Sequence, residues 1–283
     1  MKKIVIMFMF LFPVVWCFGQ DYASVEDQKQ AGQAYFNEML SLLKEGKKQK
    51  AIELLGKASL DTTKVMLFPL REYDFSLYDN YGFRLGEKGT VLCFAIQAKD
   101  SKGYGLFTQK ELMEIVDTML HFSQAKIACR IGARYEYPAQ LAVQGGLTEF
   151  VVFLVKKDKE LLYKVRSSNK TLIDEGVYYP RYDTAIALAK LYPDALSAYT
   201  LQEILTKVDT ISILKAIETF LELKPALAKE ELNIDGKTIM PADFFKEGVA
   251  ARHKRDADAG YNVSDYIKAD AEILKLIEIA AQR

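Results

Sequence analysis

The stretch YPAQLAVQGGLTEFVVFLVKK, residues 137–157, decides the fold. Pro138 suits the first turn of a helix, where its missing N–H has no partner to lose, and Ala139, Leu141, Ala142 and Val143 extend a short helix of small apolar residues. Gly145 and Gly146 stop that helix. Thr148 and Glu149 then open a second one carrying Phe150, Val151, Phe153, Leu154 and Val155. A hairpin this short cannot bury its own apolar face, so it predicts neighbours stacked on both sides, the logic of a helical-repeat array.

Other stretches repeat the pattern. With Tyr137 as the first position, Thr171 in KTLIDEG lies 34 residues on, and Thr238 in DGKTIMPADFFKEG lies a further 67 on, two periods of about 33. Thr200 opens TLQEILTKV, followed by the second-helix pattern Ile211, Ile213, Leu214, Ile217, Phe220 and Leu221; upstream, Thr90 opens GTVLCFAIQA. The five openings are separated by 47, 34, 29 and 38 residues. That scatter predicts a divergent array with insertions at residues 99–107 and 250–262.

On these residues the central stretch resembles an ankyrin repeat. The family pattern T-P-L-H-x-A, with a turn glycine and a second helix after it, is met by Pro138, Ala142, Gly146, Val151 and Leu154. Tyr137 stands where the family has Thr, Ala139 where it has Leu, and Gln140 where it has His; a charged, polar run, residues 156–169, replaces the usual Gly-Ala-Asp hairpin. The resemblance implies an all-α, ankyrin-like helical-hairpin solenoid that binds a protein partner, with no catalysis and no cofactor. Its binding face is expected on the first helices and connecting tips, so Gln140, Gln144 and the loop at 99–107 are the expected surface positions. Tyr178, Tyr179, Arg181 and Tyr182 cluster around Pro180 at the turn of the third unit. They form a second partner-binding candidate, against which stands plain packing with the hydroxyls in water.

Upstream of the array the chain reads in three pieces. Residues 1–19 begin with Lys2 and Lys3, run through an apolar segment and reach Gly19 before Gln20 and Asp21, the pattern of a secretory signal peptide. A spanning helix needs ~20 apolar residues, and Pro13 interrupts this run. The expected mature chain is therefore exported, periplasmic or extracellular. A rival reading, an outer-membrane lipoprotein with its lipid on Cys17, places Trp16 at a site that favours a small residue. Residues 20–67 carry Tyr35, Phe36, Met39, Leu40 and Leu43, a turn at Gly46, then Ala51, Ile52, Leu54 and Leu55, a helical hairpin expected to cap the array. Residues 68–89 hold Tyr73, Phe75, Tyr78, Tyr81 and Phe83 among Pro69, Gly82, Gly86 and Gly89 and read as an aromatic loop or short hairpin. The array fills residues 90–283.

Charge and chemistry narrow the function classes. The 38 basic and 38 acidic residues balance, and loss of residues 1–19 leaves a formal charge of −2, so nothing favours nucleic acid or an anionic membrane as partner. Cys93 and Cys129 remain after cleavage; export permits a disulfide between them, while the place of Cys93 on an apolar helix face favours a free thiol. With His121 and His253 they form no metal-ligand spacing, and no Gly-x-Ser-x-Gly, His-Glu-x-x-His, phosphate-loop or dinucleotide motif occurs. VAARHKRDADAGYN, residues 249–262, reads as a solvated loop because its bases are followed at once by acids. Two other function classes stay open: an inhibitor or immunity-type protein that blocks a toxin or hydrolase, and a carbohydrate-binding or hydrolytic protein using the aromatic residues between Tyr73 and Phe83.

Overall fold

A computed structural model describes residues 34, 37–38, 41–42, 45–57, 65–66, 83–84, 95–96, 105, 107–122, 137–165, 170–207, 209–260 and 264–283. The signal-like segment with Cys17, most of the aromatic stretch, Cys93 and Cys129 lie outside them. The described chain is mostly helical, with ten α-helices and two short antiparallel strand pairs. No helix among the described residues is long and apolar enough to cross a membrane.

Helix α1 (Lys48–Lys57) packs on α2 (Gln109–Phe122), buries Ala51 and Ile52, and is tied to it by an ion pair between Lys48 and Glu111. Between them β1 (Val65–Met66) pairs with β2 (Phe83–Arg84) in the register Val65↔Arg84 and Met66↔Phe83. Helix pairs then follow one another: α3 (Pro138–Gln144) with α4 (Thr148–Lys157), α5 (Leu172–Tyr178) with α6 (Tyr182–Leu191), and α7 (Ala198–Leu205) with α8 (Thr210–Leu223). A hairpin of β3 (Leu232–Ile234) and β4 (Lys237–Ile239) turns at Asp235 and Gly236 and leads to the last pair, α9 (Pro241–Asp258) and α10 (Ser264–Gln282).

The pairs stack in order. The first helices touch in the succession α3, α5, α7, α9, and the second helices in the succession α2, α4, α6, α8, α10. One continuous apolar core runs between the two rows, with Phe150, Leu154, Leu172, Leu188, Leu201, Ile217, Phe220 and Ile273 fully enclosed. A short 3-10 turn ends each of the three central second helices, at Lys159–Tyr163, Pro193–Ala195 and Pro225–Lys229, and sends Leu161, Leu196 and Leu227 into that core. The residues capping those helices, Asp158, Tyr192 and Lys224, lie 34 and 32 residues apart.

Local chemistry explains the hairpin at 137–157. Pro138 is the first residue of α3, and the chain leaves that helix through Gly146, whose φ of +71° puts it in the left-handed region that glycine enters freely. The Gly146 amide then donates to Val143 O and the Leu147 amide to Ala142 O, which satisfies two helix-end carbonyls.

Three sequence expectations change. Thr200 is the third residue of α7, and the helix is capped by Ser197. Thr238 lies in β4, and α9 opens at Pro241 after Met240. The first-helix caps are therefore Tyr137, Thr171, Ser197 and Met240. Residues 249–258, expected as a solvated loop, belong to the 18-residue helix α9, because Arg252 is buried and held by a carboxylate of α10 that local sequence does not reveal.

Gly176 sets the approach of α5 to α6. A Cβ there would stand 3.1 Å from the Ala185 Cβ and 3.2 Å from its backbone nitrogen. Gly176→Ala gains about 1 kcal/mol of helix propensity, which offsets much of that crowding. Gly176→Val adds two methyl groups to a space already full and is expected to lose about 1–3 kcal/mol by overpacking. Urea unfolding of both variants decides the point, and a Val midpoint at or above that of Ala would remove the close-approach explanation.

Candidate interaction surface

The partner-binding side chains expected from sequence, Gln140, Gln144, Tyr178, Tyr179, Arg181 and Tyr182, separate into two groups. Gln140 is not at the surface: it is 3% exposed, because α3 is covered on nearly every side by the stack, and its Oε1 has no hydrogen-bond partner among the described residues. It shares its place, third in its helix, with Asp174 in α5 and Thr200 in α7, which are also buried. These positions line the seam between first helices. Thr200 Oγ1 donates to Asp174 Oδ1 at 2.6 Å, and Asp174 Oδ2 accepts from the backbone and hydroxyl of Thr171 at 2.7 and 3.0 Å. Burial pushes the Asp174 carboxyl above the ordinary aspartate range against the pull of those hydrogen bonds and of Lys170.

Gln144 and Arg181 meet each other. Arg181 Nε donates to the Gln144 carbonyl at 3.0 Å, so the turn of one pair closes the end of the preceding first helix with a cation. The side-chain Nε2 of Gln144 is buried and has no hydrogen-bond partner among the described residues. At the starts of the second helices, Thr148 and Thr184 hydroxyls are 2.6 Å apart, and Phe150 N donates to Gln109 Oε1 at 3.1 Å.

Tyr178, Tyr179 and Arg181 are the exposed members and Tyr182 is half-buried against the core; the Tyr178 and Tyr179 rings, 53% and 38% exposed, stand edge to face at a centroid separation of 4.9 Å. Four residues that sequence reasoning did not single out gather around them. Lys170 Nζ lies 5.7 Å from the Tyr178 ring centre and 4.6 Å from that of Tyr199, and Lys207 Nζ lies 5.3 Å from that of Tyr178. Glu203 pairs with Lys207 at 2.7 Å and accepts from the Tyr199 hydroxyl at 3.0 Å. The signal for half of this was present: Tyr199, Glu203 and Lys207 recur every four residues along α7 and just past its end.

Electrostatics fix these groups in their resting states. Burial opposes the Glu203 charge, but its hydrogen bonds from Lys207 and Tyr199 and the nearby ammoniums of Lys207 and Lys170 outweigh that and lower its pKa. Burial also works against the Lys170 ammonium, and the Tyr199 hydrogen bond with the Glu203 and Glu175 carboxylates raises its pKa nonetheless. Burial raises the Tyr199 hydroxyl, aided by Glu203.

A second polar cluster lies at the far end of the array. Asp270 of α10 accepts from Arg252 Nη2 at 2.6 Å on each oxygen and stands 2.7 Å from His253 Nε2. Among the described residues no three His, Cys, Asp or Glu side chains come together to hold a metal ion. No protein-family model, no curated protein and no solved structure matches this chain.

Proposed function

We propose that the protein is an exported, periplasmic or extracellular, ankyrin-like solenoid that holds a protein partner and performs no catalysis of its own. The two-row succession of helix pairs and the 34- and 32-residue spacing of second-helix ends support the repeat reading. The lysine-led apolar segment before Gln20 supports export.

The observation that carries the binding reading is the exposed pair Tyr178 and Tyr179 where consecutive first helices meet. Tyrosine offers a large rigid face and a polar tip, and such residues supply much of the energy of protein interfaces. Lys170 and Glu203 beside them are pushed away from neutral titration, which suits lasting charge recognition better than proton transfer.

Affinity capture with residues 20–283 from a solubilised envelope of the native source tests this. One dominant protein is expected, with Tyr178→Ala/Tyr179→Ala weakening its retention by about 30-fold, the effect of an interface hot spot of roughly 2 kcal/mol. Capture unchanged by the double substitution, or no protein retained, would overturn the reading.

A further inference from the structure

The geometry points to a charged brace, Lys170, Tyr199, Glu203 and Lys207, that locks the ends of α5 and α7 together and holds Tyr178 in its exposed position. Its mechanics stand alone; its value for partner binding rests on the function proposed above.

The contacts close on themselves. Starting from Tyr178, the path runs to Lys207 over its ring, to Glu203 through the ion pair, to Tyr199 through the phenol hydrogen bond, to Lys170 over the second ring, and back to Tyr178. Lys170 and Tyr178 flank or belong to α5, whereas Tyr199, Glu203 and Lys207 lie on α7 or just beyond it. The cycle therefore crosses the seam between two helix pairs. A ring half open to water gains little apolar burial to fix it, so the two ammoniums restrict Tyr178 together with its edge-to-face contact on Tyr179. Glu203 is the keystone, because it separates Lys170 from Lys207 electrically and accepts from Tyr199. Its side chain and that of Lys207 are only 17% and 20% exposed, so the pair feels a weaker dielectric than a surface pair and is screened less by salt.

The brace acts on backbone hydrogen bonds that report on it directly. At the end of α5 the Tyr179 amide donates to Glu175 O and the Arg181 amide to Gly176 O; at the end of α7 the Thr206 amide donates to Gln202 O and the Lys207 amide to Ile204 O. Glu203→Gln keeps the shape and an acceptor for Tyr199, but removes the charge and leaves two ammoniums facing each other across the tyrosine. Lys207→Met removes the opposite charge and keeps the length of the side chain.

Hydrogen–deuterium exchange on residues 20–283 tests the brace. In both variants the amides of Tyr179, Arg181, Thr206 and Lys207 are expected to exchange roughly fivefold faster, while those of α10 keep their rates. Raising the salt from about 0.02 to 0.5 M should speed the same four amides in the wild-type chain and change them little in Glu203→Gln. Unchanged exchange at these amides, or an equal rise throughout α3 to α10, would overturn the brace. Loss of captured partner without these local changes would instead bear on the binding reading alone, so the two failures are separable.

Discussion

Asp270→Ala is expected to cost roughly 3–5 kcal/mol, because it breaks a buried ion pair by removing one partner only. The carboxylate sits on α10 and receives both of its arginine contacts from a single Nη2 of Arg252, with His253 Nε2 beside it, and both of these partners belong to α9. Without it, the guanidinium stays enclosed and loses the carboxylate that faces it from α10. Elsewhere α9 offers little to hold it, since Pro241, Phe245 and Arg252 are its buried residues, whereas α10 is also fastened to α8 through Ile273 and Ile277. The loss should therefore appear as local opening of α9 before the central pairs yield, as nearest-neighbour arrays do. Urea unfolding gives the total, and amide exchange gives the place. Converting both partners together, Arg252→Leu with Asp270→Leu, should recover most of the loss, because an apolar pair of similar volume pays no desolvation of charge. A single-variant loss below about 1 kcal/mol would mean that the pair behaves as if solvated.

Pro138, the glycine pair 145–146 and the apolar stripe of residues 150–155 make the α3–α4 hairpin legible from sequence, because each acts through its own local backbone. The same holds for Thr171, which caps α5 and exchanges hydrogen bonds with Asp174 three residues on. Ser197 and Thr200 show how such a signal misleads: both hydroxyls take part in one capping box, and only the serine stands outside the helix. Pro241 was the better marker of the last pair, as a first-turn proline, than Thr238. The steadier period belongs to the 3-10 turns, with Leu196 after Pro193 and Leu227 after Pro225, rather than to the first-helix openings.

What stayed hidden depends on stacking. Gln140 has the chemistry of a surface residue and is buried because neighbouring elements cover α3. Arg252 and His253 look like a solvated charge run until Asp270, 17 or 18 residues away, is brought against them. Tyr199, Glu203 and Lys207 can be placed on one helix face by their spacing alone, but their closure with Lys170 and Tyr178 exists only when α5 and α7 lie side by side. The candidate surface is thus a property of the seam rather than of either helix.

Asp174 puts that seam to a test with a definite sign. Its carboxylate accepts from the Thr171 amide and hydroxyl and from Thr200 of the next pair, so Asp174→Ala leaves buried donors without an acceptor and is expected to cost roughly 3 kcal/mol. Asp174→Asn should lose far less. Its oxygen can face the Thr171 amide while its NH2 donates to the Thr200 hydroxyl, which is able to reverse its role. A protonated Asp174 can do the same, with its O–H directed at Thr200. Burial holds the folded-state pKa above the ordinary value of 3.8, so the folded chain binds this proton more tightly than the unfolded chain. The ionised group therefore costs stability above its folded pKa, and that cost disappears as the pH falls from there toward the ordinary aspartate value. Measured against Asp174→Asn, the wild-type chain is expected to gain stability on acidification through that window. A relative loss over the same window would show that the three donors hold the charged form more strongly than burial opposes it, and that the seam is fastened by a carboxylate whose pKa is depressed.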